Sequence, residues 1–403
     1  MAKLAIDGGS KVFTQDAAVP AWPPVYPETA EELKRIYLGH KWSFYGQQEI
    51  EFNNKFCEYT GAKNTIMMAN GTVTLELALK ALNVGPGDEV IVPAHTWLAT
   101  GTAVIYVGAT PVIVDIEPDT LCMDPAKFEA AITPRTKAVI PVHLFGSFAD
   151  MDRIMEIARK HNIKVIEDCA HAHGGTWRGK HAGTIGDIGS FSFQESKLIA
   201  SGEGGCCTTN DDDLAEALGR MSHIGYPFGA VQGKANTPPP MGMICHNYRV
   251  TDFQAAILLS QLAHLKEDTE LREKNAEFLR AGLNQIPGVT VQARGKHADH
   301  QHFYSFAVLI DDKQLKPGIT LDKVSEAIMA EGFGLFRGWG APMYRQRLWS
   351  VPENLYRIES NEVAEDIVSN KLLVTCCQWL HVPQSDLEKA IESVAKVMAE
   401  YHC

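Results

Sequence analysis

The chain has 403 residues, of which 45% are hydrophobic and 21% are charged. A chain of this length can bury a large core and form two domains, and its composition is typical of a globular enzyme. The net charge of −12 argues against nucleic acid or an anionic membrane surface as a partner. No apolar run approaches the roughly 20 residues that span a bilayer, and the N-terminus lacks the pattern of a signal peptide.

The cysteines also indicate a compartment. There are nine, an odd number, and they are scattered without a C-x-x-C motif. In a chain of this size the pattern predicts reduced thiols and a cytoplasmic protein. His171 and His173 are two residues apart, but only Asp168 lies nearby as a further ligand, so we predict no metal site.

Short β-prone runs alternate with helical patterns through the first two-thirds of the chain. The predicted strands are 64–68, 89–93, 110–116, 138–143, 164–168, 188–193 and 205–209, and the predicted helices are 72–82, 98–107, 125–131, 151–160 and 211–221. Alternation of this kind predicts an α/β fold, with a mostly parallel seven-stranded sheet and helices on both faces.

The later part of the chain has a different pattern. Residues 251–283 predict one or two long helices, followed by a strand at 304–310, a helix at 321–331 and a closing helix at 384–401. We therefore predict a large domain over residues 1–265, which includes the N-terminal segment, and a small C-terminal α/β domain over 266–403.

Lys197 and Asp168 are the main candidates for chemistry. Lys197 follows an apolar run and precedes the glycine-rich turn 201–205, and Asp168 ends another apolar run. Pyridoxal phosphate needs an amine for a Schiff base and a carboxylate that keeps its ring nitrogen protonated. A solvated surface lysine and a helix-capping aspartate are the alternatives for either residue alone, and the pair favours the cofactor.

Further candidates surround these two. Gly71 and Thr72 lie in a strand-to-helix turn, where backbone amides attract a phosphate, and Ser192 can add a hydroxyl. Trp97 can stack on an aromatic cofactor, and His171 can contact the ring or its phenolic oxygen. An ordinary helix cap, a core tryptophan and a core histidine are the alternatives.

These segments, taken in order, resemble the DegT/DnrJ/EryC1/StrS aminotransferase family. The matching motifs are Asn70-Gly71-Thr72, Pro93-Ala94-His95-Thr96-Trp97, residues 167–174, and residues 191–197 with the glycines that follow. The resemblance implies the type I fold of pyridoxal phosphate enzymes and a homodimer with active sites at the subunit interface. It also implies that Lys197 binds the cofactor and shuttles the proton, that Asp168 pairs with the ring nitrogen, and that Trp97 stacks on the ring. Phosphate contacts are implied for Thr72, Val73, Ser192 and, from the neighbouring subunit, Asn247.

Within the family, the motif at 192–197 and the segments 170–174 and 378–381 are most similar to the branch of 3-amino-5-hydroxybenzoate synthase and cyclitol aminotransferases. This similarity implies transfer of an amino group from glutamate or glutamine to a ketone on a polyhydroxylated ring, either a keto-sugar or an inosose. The residues implied to line the acceptor pocket, each of which could instead be structural, are Tyr45, His302, Tyr304, Arg337 and Tyr344.

Two other functions stay open. The same scaffold could catalyse a dehydration or aromatisation, as the aminohydroxybenzoate branch suggests, or it could be a non-catalytic partner of a paralogue. A nicotinamide enzyme is disfavoured because no G-x-G-x-x-G follows the first strand.

Overall fold

The computed structural model describes residues 3–230, 233–234 and 237–403. Its helices are α1 Pro27–Leu38, α2 Gln47–Thr60, α3 Gly71–Ala81, α4 Leu98–Tyr106, α5 Pro125–Ala130, α6 Met151–His161, α7 Asp212–Ser222, α8 Asp252–Leu283, α9 Leu321–Glu331, α10 Glu362–Asn370 and α11 Gln384–Tyr401. Its strands are β1 Asn64–Met68, β2 Glu89–Pro93, β3 Thr110–Val114, β4 Thr136–Val139, β5 Lys164–Asp168, β6 Thr176–Trp177, β7 Lys180–His181, β8 Ile188–Ser192, β9 Gly205–Thr209, β10 Val289–Val291, β11 Ala298–His300, β12 Ser305–Ile310, β13 Arg357–Ile358 and β14 Leu372–Cys376.

All seven predicted strands lie in one sheet, in the order β1-β9-β8-β5-β4-β2-β3, and β13 adds an eighth strand beside β3. The α/β fold prediction is confirmed, with this extra edge strand as a correction. β13 has only two residues, too few to produce a periodic pattern in the sequence. β9 runs antiparallel to both of its neighbours, and the other adjacent pairs are parallel.

The central strands are apolar because helices cover both faces of the sheet. Every residue of β2, β8 and β9 is buried. Several helices begin where a short polar side chain accepts from free backbone N–H groups: Asn70 caps α3, Asp124 caps α5 and Asp211 caps α7. The strands and the helix starts are therefore fixed by local sequence.

Two separate groups of buried apolar side chains form the interior. The first surrounds the large sheet, and the second lies between α9, α11 and the small sheet β10-β12-β14. Helix α8 joins them, since Leu258 and Leu265 pack in the first group and Leu279 and Leu283 in the second. The N-terminal residues Leu4 and Phe13 also pack in the second group, so a division at residue 265 would separate them in sequence from the residues they contact.

Helices within the described ranges are all too short or too polar to cross a membrane.

Candidate functional site

A cavity of about 680 Å³ opens at the carboxyl ends of the parallel strands β1, β2, β5 and β8, where ligands of open α/β sheets gather. Nine of the predicted residues line it: Gly71, Thr72, Val73, Trp97, Asp168, His171, Ser192, Lys197 and Tyr304. These residues come from five separate segments of the chain. Four of the segments lie at or just after the carboxyl ends of β1, β2, β5 and β8, and Tyr304 lies just before β12 of the small sheet.

Lys197 lies in a tightly bonded loop that follows β8. The Phe193 N–H donates to the Gly204 carbonyl at 2.8 Å and the Glu195 N–H to the Gly202 carbonyl at 2.9 Å. Gly202 has a φ of 82°, which favours glycine at the turn. Burial lowers the pKa of the Lys197 amine to about 8, and the charge of Asp168 opposes that shift. The loop therefore holds an amine that is partly unprotonated near neutral pH.

Asp168 ends β5 and is 6% exposed. The Thr100 hydroxyl donates to its Oδ2 at 2.9 Å and the Ala170 N–H to its Oδ1 at 3.2 Å. Burial raises the pKa of this carboxyl, and the bonds from Thr100 and Ala170 and the charge of Lys197 oppose the shift. The carboxylate is held in place, and a cationic partner in the cavity would offset its cost of burial.

The N-terminus of α3 packs closely against β8. A Cβ at Gly71 would lie 2.6 Å from the Ser192 Cβ, so only glycine fits there without a shift. Asn70 Oδ1 accepts from the N–H groups of Thr72 at 3.1 Å and Val73 at 3.0 Å. The predicted phosphate contact through these two amides would therefore compete with the Asn70 cap.

Aromatic rings form one side of the cavity. His171 stacks on Tyr304 with ring centroids 3.8 Å apart, and the Lys197 Nζ lies 4.5 Å from the centre of the Tyr304 ring. Burial lowers the pKa of His171 well below its usual value, so the ring is neutral at pH 7. Trp97 is 42% exposed. Its ring centroid lies 5.9 Å from that of Trp339, which also lines the cavity.

Four of the residues predicted for the acceptor pocket do not line this cavity, namely Tyr45, His302, Arg337 and Tyr344. Tyr45 is buried against His223, with ring centroids 4.2 Å apart. His302 is fully buried beside Phe148. The physical reason is that these two rings fill the interior instead of facing solvent.

The other two of the four bond to residues that do not line the cavity. Arg337 pairs with Asp322 at 3.0 Å and donates to the Ser369 carbonyl. The Tyr344 hydroxyl donates to Glu365 at 2.6 Å. Through these bonds Arg337 and Tyr344 hold a loop segment in place. The sequence pattern around them does not distinguish this structural role from ligand binding.

Asn247 also lies outside the cavity of its own chain. It pairs with His223 through an isolated β-bridge, and its side chain is exposed. Ile244, three residues before Asn247, is 72% exposed, and Ile224, whose N–H donates to the His246 carbonyl at 2.8 Å, is 58% exposed.

A compact group of His143, Glu167 and Cys169 also has ligand-type side chains. The Glu167 carboxylate already accepts from the N–H groups of Gly183, Ile185 and Gly186. Its Oε2 also lies 3.1 Å from His143 Nε2. These bonds explain the buried carboxylate without an ion.

Residues 26–395 match the sequence model of the DegT/DnrJ/EryC1/StrS aminotransferase family. The chain belongs to this family. Its predicted membership and its prediction as an aminotransferase are therefore confirmed.

Named relatives of this aminotransferase act on rings and sugars. It is 38% identical to an L-glutamine:2-deoxy-scyllo-inosose aminotransferase of Streptoalloteichus tenebrarius, over 99% of this chain and 98% of the relative. It is 45% identical to the GDP-perosamine synthase of Caulobacter vibrioides, over 62% of this chain and 67% of the relative. Among solved structures, 3-amino-5-hydroxybenzoic acid synthase superposes with a TM-score of 0.83 and 29% identity, covering 96% of this chain and 100% of that one.

Thr100 and Trp339 are two of the cavity residues that sequence reasoning did not single out. Thr100, which bonds Asp168, lies four residues after Thr96 in the first turn of α4, and the two hydroxyls are 2.8 Å apart. Trp339 lies between Gly338 and Gly340 in a long loop. A tryptophan between two glycines was an available signal, but its position beside Trp97 depends on contacts between distant segments.

Proposed function

We propose that this aminotransferase uses pyridoxal phosphate to move an amino group from glutamate or glutamine to a ketone on a neutral polyhydroxylated ring, of the inosose or keto-sugar type. The observation that carries the proposal is the pair formed by the Lys197 amine and the buried Asp168 carboxylate in one cavity.

The cavity fits this cofactor in its donor set. It offers an amine of lowered pKa, a buried carboxylate with no cationic side chain bonded to it, a helix N-terminus and the Ser192 hydroxyl. Gly71 leaves room for close approach beside Ser192. Lys197 would attach the cofactor, Asp168 would contact its ring nitrogen, and Gly71, Thr72, Val73 and Ser192 would surround its phosphate.

When bound, pyridoxal phosphate supplies an aldehyde carbon and a ring that accepts electrons. Lys197 Nζ, with its pKa near 8, can take the proton from the α-carbon of the amino donor and later return it to the acceptor carbon. Asp168 would keep a proton on the ring nitrogen, Trp97 would contact the ring, and the neutral His171 would be able to donate a hydrogen bond. The Phe145 N–H faces His171 Nδ1 at 3.4 Å, which leaves Nε2 as the ring nitrogen that carries the hydrogen.

The charge of the cavity supports a neutral acceptor. Among the described residues that line it, Lys197 is the single cationic side chain, whereas Glu76, Asp168 and Glu203 are carboxylates. A nucleotide diphosphate is normally held by arginine or lysine side chains. This balance favours an inosose-type ring, the substrate type in the name of the S. tenebrarius relative.

We also infer a homodimer in which Asn247 reaches the site of the neighbouring subunit. The exposed position of Asn247, beside apolar Ile224 and Ile244, supports this arrangement. Mixing inactive Lys197→Ala and Asn247→Ala subunits should restore turnover, because one site of each mixed dimer keeps both residues. No recovery in a verified mixed dimer would contradict the shared site. The nine free cysteines support a reducing compartment, so we infer a cytoplasmic location.

The test is the visible absorption spectrum of the purified protein with pyridoxal phosphate during titration with glutamate and then glutamine. We expect the band of the bound aldehyde form to fall and that of the amine form to rise, and the effective donor to be identified. A bound cofactor that neither donor converts would contradict the proposal. It would favour a dehydratase, as suggested by the likeness to 3-amino-5-hydroxybenzoic acid synthase, or a partner subunit.

A further inference from the structure

Trp339 forms part of the cavity wall. It lies between Gly338 and Gly340, whose φ values of 58° and 66° turn the chain on either side of it. Its ring centroid is 5.5 Å from His95, 5.6 Å from Phe145 and 5.9 Å from Trp97. The indole is therefore packed among other rings while one side of it faces the cavity.

The segment that carries Trp339 is fastened to the segment that carries Trp97. The Met343 N–H donates to the Ala94 carbonyl at 2.8 Å, and Gln346 Nε2 donates to the Thr96 carbonyl at 2.8 Å. Arg337 anchors the start of the segment through Asp322 and the Ser369 carbonyl. These bonds fix the separation of the two indoles before any ligand enters.

We propose that Trp339 determines acceptor specificity by offering an apolar surface to the C–H face of a polyhydroxylated six-membered ring. This inference rests on the proposed function and names the residue that selects its substrate. A ring with equatorial hydroxyls has apolar faces and a polar edge, and an aromatic surface beside a few polar groups matches that shape. In the proposed function Trp97 contacts the cofactor ring, so Trp339 is the indole that is free to contact the acceptor.

The experiment separates the two half-reactions in Trp339→Ala and Trp339→Phe. Enzyme converted to the amine form by the donor is freed of donor and mixed with scyllo-inosose, a neutral pentahydroxycyclohexanone. We expect the acceptor concentration for half-maximal rate to rise about tenfold in the alanine variant and less in the phenylalanine variant. Donor conversion should be unchanged, and calorimetric affinity for the unreactive scyllo-inositol should fall in parallel.

Phe336→Ala is the matched control, because Phe336 lies in the same segment, is 41% exposed and does not line the cavity. It should leave both half-reactions unchanged. Unaltered acceptor dependence in Trp339→Ala would overturn the inference, as would an equal loss in the donor half-reaction. Failure of the unmodified enzyme to react with any donor would instead contradict the proposed function, so the two failures are distinguishable.

Discussion

The two sides of the cavity are built in different ways. The strand-end side carries Asp168, Ser192 and Lys197 directly on or just after β5 and β8, so short motifs position its chemistry. The aromatic side carries Tyr304 and Trp339, which come from the C-terminal part of the chain and reach the cavity through long-range contacts. Short motifs therefore predict the residues at the strand ends, whereas the positions of Tyr304 and Trp339 depend on how distant segments pack.

The polar groups of the two sides differ as well. At the strand ends, the Asp168 carboxylate has hydrogen-bond partners on both oxygens. Beneath the aromatic side, His95 is fully buried and neither of its ring nitrogens has a partner among the described residues. Burial lowers the pKa of His95 to about 3, so its ring is a neutral packing group under Trp339. Substitutions on the first side should change chemistry, and those on the second should change acceptor use.

The largest effect is expected for Lys197→Ala. Loss of the proton-transferring amine should lower turnover by about 10²–10⁴-fold, and covalent attachment of pyridoxal phosphate should disappear. Absorption spectra and single-turnover rates measure both effects. Near-native turnover would show that another group carries the proton.

Asp168→Asn should be the next most damaging change. The amide keeps the shape but cannot stabilise a protonated ring nitrogen, so the donor half-reaction should slow by roughly 10²-fold. Thr100→Val, which removes the bonds to Oδ2 and to the Thr96 hydroxyl but keeps the carboxylate, is the control and should cost much less. Equal donor half-reaction rates for Asp168→Asn and the unmodified enzyme would show that the Asp168 carboxylate is not needed for that reaction.

The pH dependence of cofactor attachment tests the Lys197 environment. Its pKa is lowered to about 8, so the reactive neutral amine is scarce below that pH and predominant above it. The attachment rate to cofactor-free protein should rise about tenfold per pH unit from pH 6 to 8 and then level off. Because Asp168 raises the pKa of Lys197, Asp168→Asn should move the midpoint lower. An attachment rate that still rises at pH 10 would contradict the lowered pKa of the Lys197 amine.

Gly71→Ala tests the close packing at the strand ends. The new Cβ would meet Ser192 at 2.6 Å, and overpacking of this kind costs about 1–3 kcal/mol. We expect a lower melting temperature and weaker cofactor binding. Gly85→Ala is the control, because its Cβ would have no neighbour nearer than the Val107 oxygen at 3.9 Å. Similar results for both variants would show that the Gly71 contact relaxes freely.

Arg337→Ala should have the smallest effect and should be confined to acceptor use. The variant releases the start of the Trp339 segment. Because a partly exposed ion pair contributes about 0–1 kcal/mol to stability, acceptor affinity should fall by about fivefold at most. Asp322→Ala, which leaves the bond to the Ser369 carbonyl, should lower it less. A change in the donor half-reaction would contradict the anchoring role.

The sequence predicted the parts of this aminotransferase that depend on neighbouring residues. Apolar runs marked seven of the eight strands of the large sheet, and side chains such as Asn70 and Asp211 fixed helix starts by bonding their own backbone. Because parallel strands end at one edge of the sheet, the motifs at Asp168 and Lys197 were correctly expected to meet.

Tertiary structure alone decided which polar and aromatic residues of the later segments reach the cavity. Tyr304 and Trp339 line it, whereas Arg337, Tyr344 and His302 bond or pack elsewhere, and Asn247 is exposed away from the cavity of its own chain. In loops, the residue type does not determine which way the side chain points, so the same arginine can bind a ligand or anchor a turn. Only contacts between distant segments, such as Met343 with Ala94, select between these roles.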